Sequence, residues 1–236
     1  MNIRVKALFI IAAVAYIISS CKKNDDAPLV TSTANLNVVN ASSDTINFYL
    51  NGIRLNNTTS FYPGGSLGYV FAVTSGTQNY QFKRAGSPNT LFTKSLTLGA
   101  NNNYSLYVAG QTANDAFMTQ DVLTADTSGN ALVRFVNASP DSSPLVINIA
   151  GIPITTGTTL DTITFTGVAY QTTTSFKTVK GGYTYNLSVY QASSPSKPKS
   201  DTTATLNAGQ IYTIYSYGLV STAGNEGLST SLIVNK

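Results

Sequence analysis

The chain has 236 residues, enough for one or two domains, with 42% hydrophobic and only 10% charged residues. That apolar share supports a packed core and argues against wholesale disorder. The formal charge of +4 includes Arg4 and Lys6 of a leader, and without them no basic stripe remains of the kind nucleic acids require.

The leader comes first. Arg4 and Lys6 precede a twelve-residue apolar stretch, Ala7 to Ile18, closed by Ser19 and Ser20. This has the make-up of a signal peptide over residues 1–20 and falls short of the roughly 20 apolar residues that span a bilayer. A buried core helix is the alternative, and the basic flank disfavours it. Ile18-Ser19-Ser20-Cys21 resembles a bacterial lipobox, in which the cysteine sulfur takes a diacylglycerol and the chain is cut before it. Cys21 is the single cysteine of the chain, so no disulfide or cysteine-based metal site is available beyond it. Two or more acyl chains hold a protein stably on a membrane. Residues 21–34 form the lipidated tether, whose polar part from Lys22 onward can reach roughly 40–45 Å when extended. The charged Lys22–Asp26 segment resembles the surface-export signals of Bacteroidota lipoproteins. It points to the outer membrane with cell-surface exposure, and a periplasm-facing tether is the alternative.

The remainder repeats itself. Val38-Val39-Asn40-Ala41-Ser42-Ser43-Asp44 aligns with Phe135-Val136-Asn137-Ala138-Ser139-Pro140-Asp141, and Leu98–Gly110 aligns with Leu206–Gly218. The period of about 100 residues marks a duplicated domain and not a short-period solenoid. The copies occupy 35–127 and 128–236. Composition favours strands: 14 Tyr and 10 Phe accompany many Val, Ile and Thr. In the first copy the predicted strands are 36–40, 45–50, 69–73, 79–84, 91–98, 104–109 and 117–123. In the second they are 131–137, 145–150, 163–166, 170–178, 183–191, 202–206, 212–218 and 228–234. Alternation in Tyr104–Val108 and Tyr212–Ser216 gives each of these strands one buried face. The fold class expected is all-β, as two tandem immunoglobulin-like β-sandwiches behind a lipoprotein signal peptide. Leu206 to Tyr212 has the spacing of a tyrosine corner, in which the hydroxyl bonds upstream backbone. Leu98 and Tyr104 keep that spacing without the glycine.

Two copies of a V-N-A-S-x-D strand end, an apolar strand, an N/A-G turn and a closing L-x6-Y strand resemble the bacterial domain of unknown function 4397. The resemblance spans about residues 35–236 and is closest over Val136–Asp141; Ser43 replaces the proline in the first copy. It implies tandem domains in a cell-surface lipoprotein and no particular activity.

The chemistry available is sparse. Histidine is absent, which removes the commonest general base, the Ser–His–Asp triad and the usual zinc sets. No phosphate loop or dinucleotide fingerprint occurs. The expectation is a non-enzyme with no cofactor. Asp44 and Asp141 could bind calcium, but one carboxylate per loop is too few, and an Asx turn made by Asn40 or Asn137 is the better reading. Tyr62, in a loop, is the candidate ligand contact, with Tyr170 and Tyr190 behind it; the corner tyrosines are structural. Thr45, Thr162 and Thr202 stand in Asp-Thr triplets that resemble a Bacteroidota O-glycosylation sequon. The function expected is a lipid-anchored, non-catalytic binding, adhesion or scaffold module with a surface protein or glycan partner. A glycan-binding accessory lipoprotein of an outer-membrane uptake system is the alternative. It would require a cluster of exposed aromatics, and a smooth Thr/Asn surface would count against it.

Overall fold

The computed structural model describes residues 32–56, 59–69, 71–121, 123–153, 160–194 and 199–235. The leader, Cys21 and nearly all of the tether lie outside the described residues. Ser32–Lys236 forms one compact unit.

Among its described residues the unit is all β apart from two short 3-10 turns. Its first part contains β1 (Thr33–Asn40), β2 (Ile46–Leu50), β3 (Ile53–Arg54), β4 (Gly65–Ser66), β5 (Phe71–Thr74), β6 (Gly76–Arg84), β7 (Thr90–Leu98), β8 (Asn103–Val108) and β9 (Ala116–Asp121). Its second part contains β10 (Asn130–Asn137), β11 (Leu145–Gly151), β12 (Thr162–Val168), β13 (Lys177–Lys180), β14 (Tyr183–Gln191), β15 (Ser200–Leu206), β16 (Ile211–Tyr217) and β17 (Ser229–Val234). Four sheets result. In the first part β4-β1-β8-β9, with β5 also on β1, lies over β3-β2-β6-β7. In the second part β13-β10-β16-β17 lies over β12-β11-β14-β15. The two parts share one strand order, with β5 answering to β13 and the two-residue β4 as the extra piece.

The strand order corrects one expectation. An immunoglobulin sandwich of the constant type has two antiparallel sheets, ABED and CFG. Here β1 runs parallel to β8 in mid-sheet, pairing Asn35 with Asn103 through Asn40 with Val108, and β10 runs parallel to β16. The sandwich architecture is present, but the immunoglobulin-like strand order is not. Pairing register, unlike strand propensity, leaves no local trace in composition.

Each sandwich closes on its own core. Phe48, Phe82 and Phe92 stack in series at 6.1 and 4.8 Å between ring centres in the first. Ile147, Ile149, Phe165 and Leu187 fill the second. A third core joins the two: Val39, Ala41, Tyr107, Val136, Ala138, Tyr215 and Ile233 are buried together. Tyr107 and Tyr215, equivalent residues of the repeat, meet edge to face at 6.0 Å. The central strands are therefore covered on both faces, as the unbroken burial of Ser105–Val108 and Ile211–Ser216 shows. The alternation expected of β8 and β16 is real in residue type, but Ser105, Tyr107, Thr213 and Tyr215 face a second layer and not water.

Most predicted strands fall within a few residues of the observed ones. The exception is 170–178, where only Lys177–Lys180 is strand. Gln171 has a left-handed backbone (φ 62°) and Thr172 closes a turn onto the Ala169 carbonyl at 3.2 Å. A run of β-branched threonines outweighed, in the sequence, a turn that carries neither glycine nor proline.

Candidate functional site

The repeated Asn-Ala-Ser loops end β1 and β10, and both are built around the asparagine. Asn40 donates to the carbonyls of Asp44 (2.6 Å) and Phe61 (2.8 Å), and its Oδ1 accepts from the Ser42 amide at 3.0 Å. Asn137 donates to the Val168 carbonyl (2.9 Å), and its Oδ1 accepts from the Ser139 amide at 3.1 Å. Both asparagines are fully buried, so their amides replace backbone partners that water cannot reach. The Asx-turn reading holds in both copies.

The aspartates of the motif part company. Asp44 takes the Arg84 guanidinium in a two-pronged contact (2.8 and 3.0 Å) and the Gln111 amide at 2.9 Å. Asp141 accepts the backbone amides of Val220 (2.7 Å) and Ser221 (2.8 Å). Burial works against the Asp141 charge, but hydrogen bonds from Ser221 and Val220 outweigh it and hold the carboxyl below its ordinary value. The two carboxylates do not converge on one site. Among the described residues no group of three metal-ligating side chains occurs.

The loops of the two copies nevertheless reach the same end of the body. They wall a cleft of about 170 Å³ lined by Ser42 and Asp44, Gly110 and Gln111, and Pro140 and Leu219. Asp44 is the one carboxylate in this lining, and it is already paired. Small residues and backbone form the rest, so the cleft suits a small apolar group with one polar contact.

The tyrosine corners are present. The Tyr212 hydroxyl accepts the Asn207 amide at 2.8 Å and the Tyr104 hydroxyl accepts the Gly99 amide at 3.0 Å. Gly209 (φ 74°) makes the turn in the second copy, and Asn101 (φ 60°) takes the same place in the first. Asparagine is the residue after glycine that best tolerates this region, which explains the missing glycine.

Sequence reasoning missed a polar network in the third core. Arg134 and Asp121 are almost fully buried and form an ion pair. Arg134 also donates to the Thr213 hydroxyl at 2.9 Å, and Thr213 donates to Asn235 Oδ1 at 2.6 Å. Asp121 accepts from Tyr69, from Ser105 (2.7 Å) and from Thr119 (2.9 Å). Asn235 donates to the Tyr69 hydroxyl at 2.9 Å and closes the ring. Burial, then the Asp121 charge, pushes the Tyr69 phenol well above its ordinary value. An arginine within a run of strand formers was the only cue.

The remaining candidates scatter. Tyr62 lies in a loop and is 65% exposed, the one exposed aromatic among the described residues. Its neighbour Gly64 sits under the Tyr217 ring, where an added Cβ would lie 2.5 Å from the ring. Tyr190 is half-buried on β14, and Tyr170 packs edge to face on Phe117 at 6.2 Å in the third core. Thr45 is half-buried, whereas Thr162 and Thr202 are exposed on β12 and β15. Cys21 lies outside the described residues.

Residues 34–148 match the family described as Domain of unknown function (DUF4397). The match takes in the first sandwich, then β10 and the first half of β11. No curated protein matches the chain. Among solved structures, it is similar to the family-26 carbohydrate-binding module CBMbc from Eubacterium rectale Amy13K, determined with maltoheptaose: 10% identity, 85% of this chain and 96% of that one, TM-score 0.24. It is also similar to a candidate cell adhesion protein from Bacteroides ovatus ATCC 8483: 10% identity, 85% and 95% coverage, TM-score 0.20. At these TM-scores neither likeness bears on what the chain binds.

Proposed function

We propose that this chain is a Bacteroidota-type outer-membrane lipoprotein, anchored through Cys21 and exposed at the cell surface. Its two sandwiches, 35–127 and 128–236, act as tandem copies of one domain in a non-catalytic binding, adhesion or scaffold module. The supporting observation is where the polar groups go. Asp44, Asp121 and Asp141 hold turns and the third core together. The outward faces of the outer sheets carry hydroxyls and amides that pair with one another: Thr184 with Thr205 at 3.0 Å, Thr164 with Asn148 at 3.2 Å, and Thr77 with Thr97 at 2.9 Å. Such a face suits contact with another protein over an area, through sheet faces and loops. A glycan-binding accessory role would draw on Tyr62, but a stacking platform needs a second exposed aromatic beside it.

Palmitate labelling in cells, combined with protease shaving of intact cells, tests the proposal. The expected outcome is labelling lost in Cys21→Ala and wild-type protein digested from outside. Labelling retained in Cys21→Ala would refute the anchor, and full protection from added protease would refute surface exposure.

A further inference from the structure

We infer that the first sandwich is built to carry tension, with β1 taking a pull on the tether in shear against β8. This rests on the anchoring of Cys21 proposed above.

The strand that follows the tether is an interior one. β1 lies between β8 on one side and β5 and β4 on the other. It pairs Asn35–Asn40 with Asn103–Val108 in parallel, and it pairs antiparallel with Phe71–Thr74 through Thr33–Leu36 and with Gly65–Ser66 through Val39 and Asn40. Its faces are covered as well: Leu36 and Val38 enter the first core, Val39 and Ala41 the third. Asn37 ties it to both neighbours, accepting from the Ser66 hydroxyl at 2.7 Å and donating to the Ser105 hydroxyl at 3.3 Å. A tether joined to an edge strand would peel that strand away. Here both edges and both faces of the first strand are held.

Direction decides how this ladder is loaded. The tether enters β1 at Thr33, whose carbonyl accepts the Asn101 amide just before β8. β8 ends at the opposite end of β1, where the Ala41 amide donates to the Val108 carbonyl. A pull on the tether, resisted from that opposite end, draws β1 and β8 along each other. The bonds of a parallel ladder are evenly spaced, so they share the strain and must give way together. The same bonds pulled apart from one end would open one after another.

The second sandwich is fastened to that same far end of β1. The Gly218 amide donates to the Ala41 carbonyl at 3.2 Å. The Tyr215 hydroxyl donates to the Gly64 carbonyl at 2.7 Å, and the Gly64 amide donates to the Asn40 carbonyl at 2.8 Å. A force on the loop end of either sandwich therefore reaches β1 at the end away from the tether. A chain under tension passes force along its backbone in any conformation, so the path needs only the covalent link from Cys21 to Ser32. Forced unfolding is governed by the unfolding rate and not by equilibrium stability, and ladder orientation sets that rate under a given pull. A module held by lipid at one end and by a partner at its loops would stay folded while the two are drawn apart.

The test stretches the chain from Cys21 onward, which has no other cysteine. Optical tweezers hold it by DNA handles on Cys21 and on one introduced cysteine. Gln111→Cys sets the second handle at the cleft, just beyond the end of β8, and loads β1 against β8 in shear. Ala100→Cys sets it in the turn before β8 and loads the same ladder as a zipper. Both residues are exposed. The expected result is a several-fold higher unfolding force with Gln111→Cys than with Ala100→Cys. Equal forces in the two geometries, or the higher force with Ala100→Cys, overturn the inference. Asn114→Cys, exposed at the same end as Gln111, repeats the shear geometry should Gln111→Cys disturb the cleft. Thiol coupling makes this readout independent of cellular lipidation, so failure here leaves the palmitate test of the anchor standing, and the reverse.

Discussion

Asp44 and Asp141 hold the same place in a repeated motif, yet one faces an arginine and the other two backbone amides. The difference has a consequence for pH. The Asp141 carboxyl titrates below its ordinary value of 3.8 in the folded protein, so the unfolded chain binds its proton more readily. Its contribution to stability is complete above the ordinary value and is lost as pH falls through the lower folded one. Asp141 is largely solvent-exposed, so Asp141→Asn is expected to cost only about 0.5 kcal/mol at neutral pH once solvent screening is allowed for. Urea unfolding of wild type and variant should show that gap closing as pH falls below the ordinary value of 3.8 and the wild-type carboxyl takes up its proton. A gap of equal size at pH 7 and in acid would show that the charge plays no part in holding Val220 and Ser221.

At the level of the strand, β10 carries the main departure from simple patterning. In Leu132-Val133-Arg134-Phe135-Val136, Phe135 turns into the second core, while Arg134 and Val136 face the first sandwich. Removing the guanidinium would leave Asp121 buried and unpaired, which typically costs 3–5 kcal/mol. Arg134→Ala should therefore lose about that much in chemical denaturation. Asp121→Leu combined with Arg134→Met should recover part of it, because no lone charge remains, and fall short because Tyr69, Ser105 and Thr119 lose their acceptor. A change within 0.5 kcal/mol for Arg134→Ala, the usual range for a surface site, would contradict a buried pair. Why this was hidden in the sequence follows from the same residues. The repeat, most strand positions and both tyrosine corners depend on local spacing, and those were legible. Arg134, Asp121 and Thr213 match outward positions of a half-buried strand. They become interior only when the second sandwich docks, a contact no local pattern records. The parallel pairing of β1 with β8 is non-local in the same way.

At the scale of the whole molecule, the two sandwiches meet as the halves of an internal dimer would. Equivalent residues meet across the junction, Tyr107 against Tyr215, as they do across a two-fold, isologous interface. The Tyr215 hydroxyl donates across it to the Gly64 carbonyl at 2.7 Å, and Gln171 donates across it to the Asn114 carbonyl at 2.5 Å. A first sandwich standing alone would expose Val39, Tyr107 and Phe117 in one patch and leave Asp121 without its arginine. Contiguous apolar faces of that kind are rarely left in water, so the halves should not separate as independent beads. The body from Ser32 onward is expected to unfold in a single transition, with equal calorimetric and van't Hoff enthalpies. A protease site inserted at Asp126–Gly129 gives the decisive arm. After cleavage the two pieces should still co-elute at micromolar concentration, because the third core and its ion pair hold them without the linker. Arg134→Ala in the cleaved protein should loosen that association and not merely lower its melting temperature. Two transitions in the intact chain, or free halves with full β-sheet signal after cleavage, would mean that the junction is a contact of convenience and that each sandwich folds for itself.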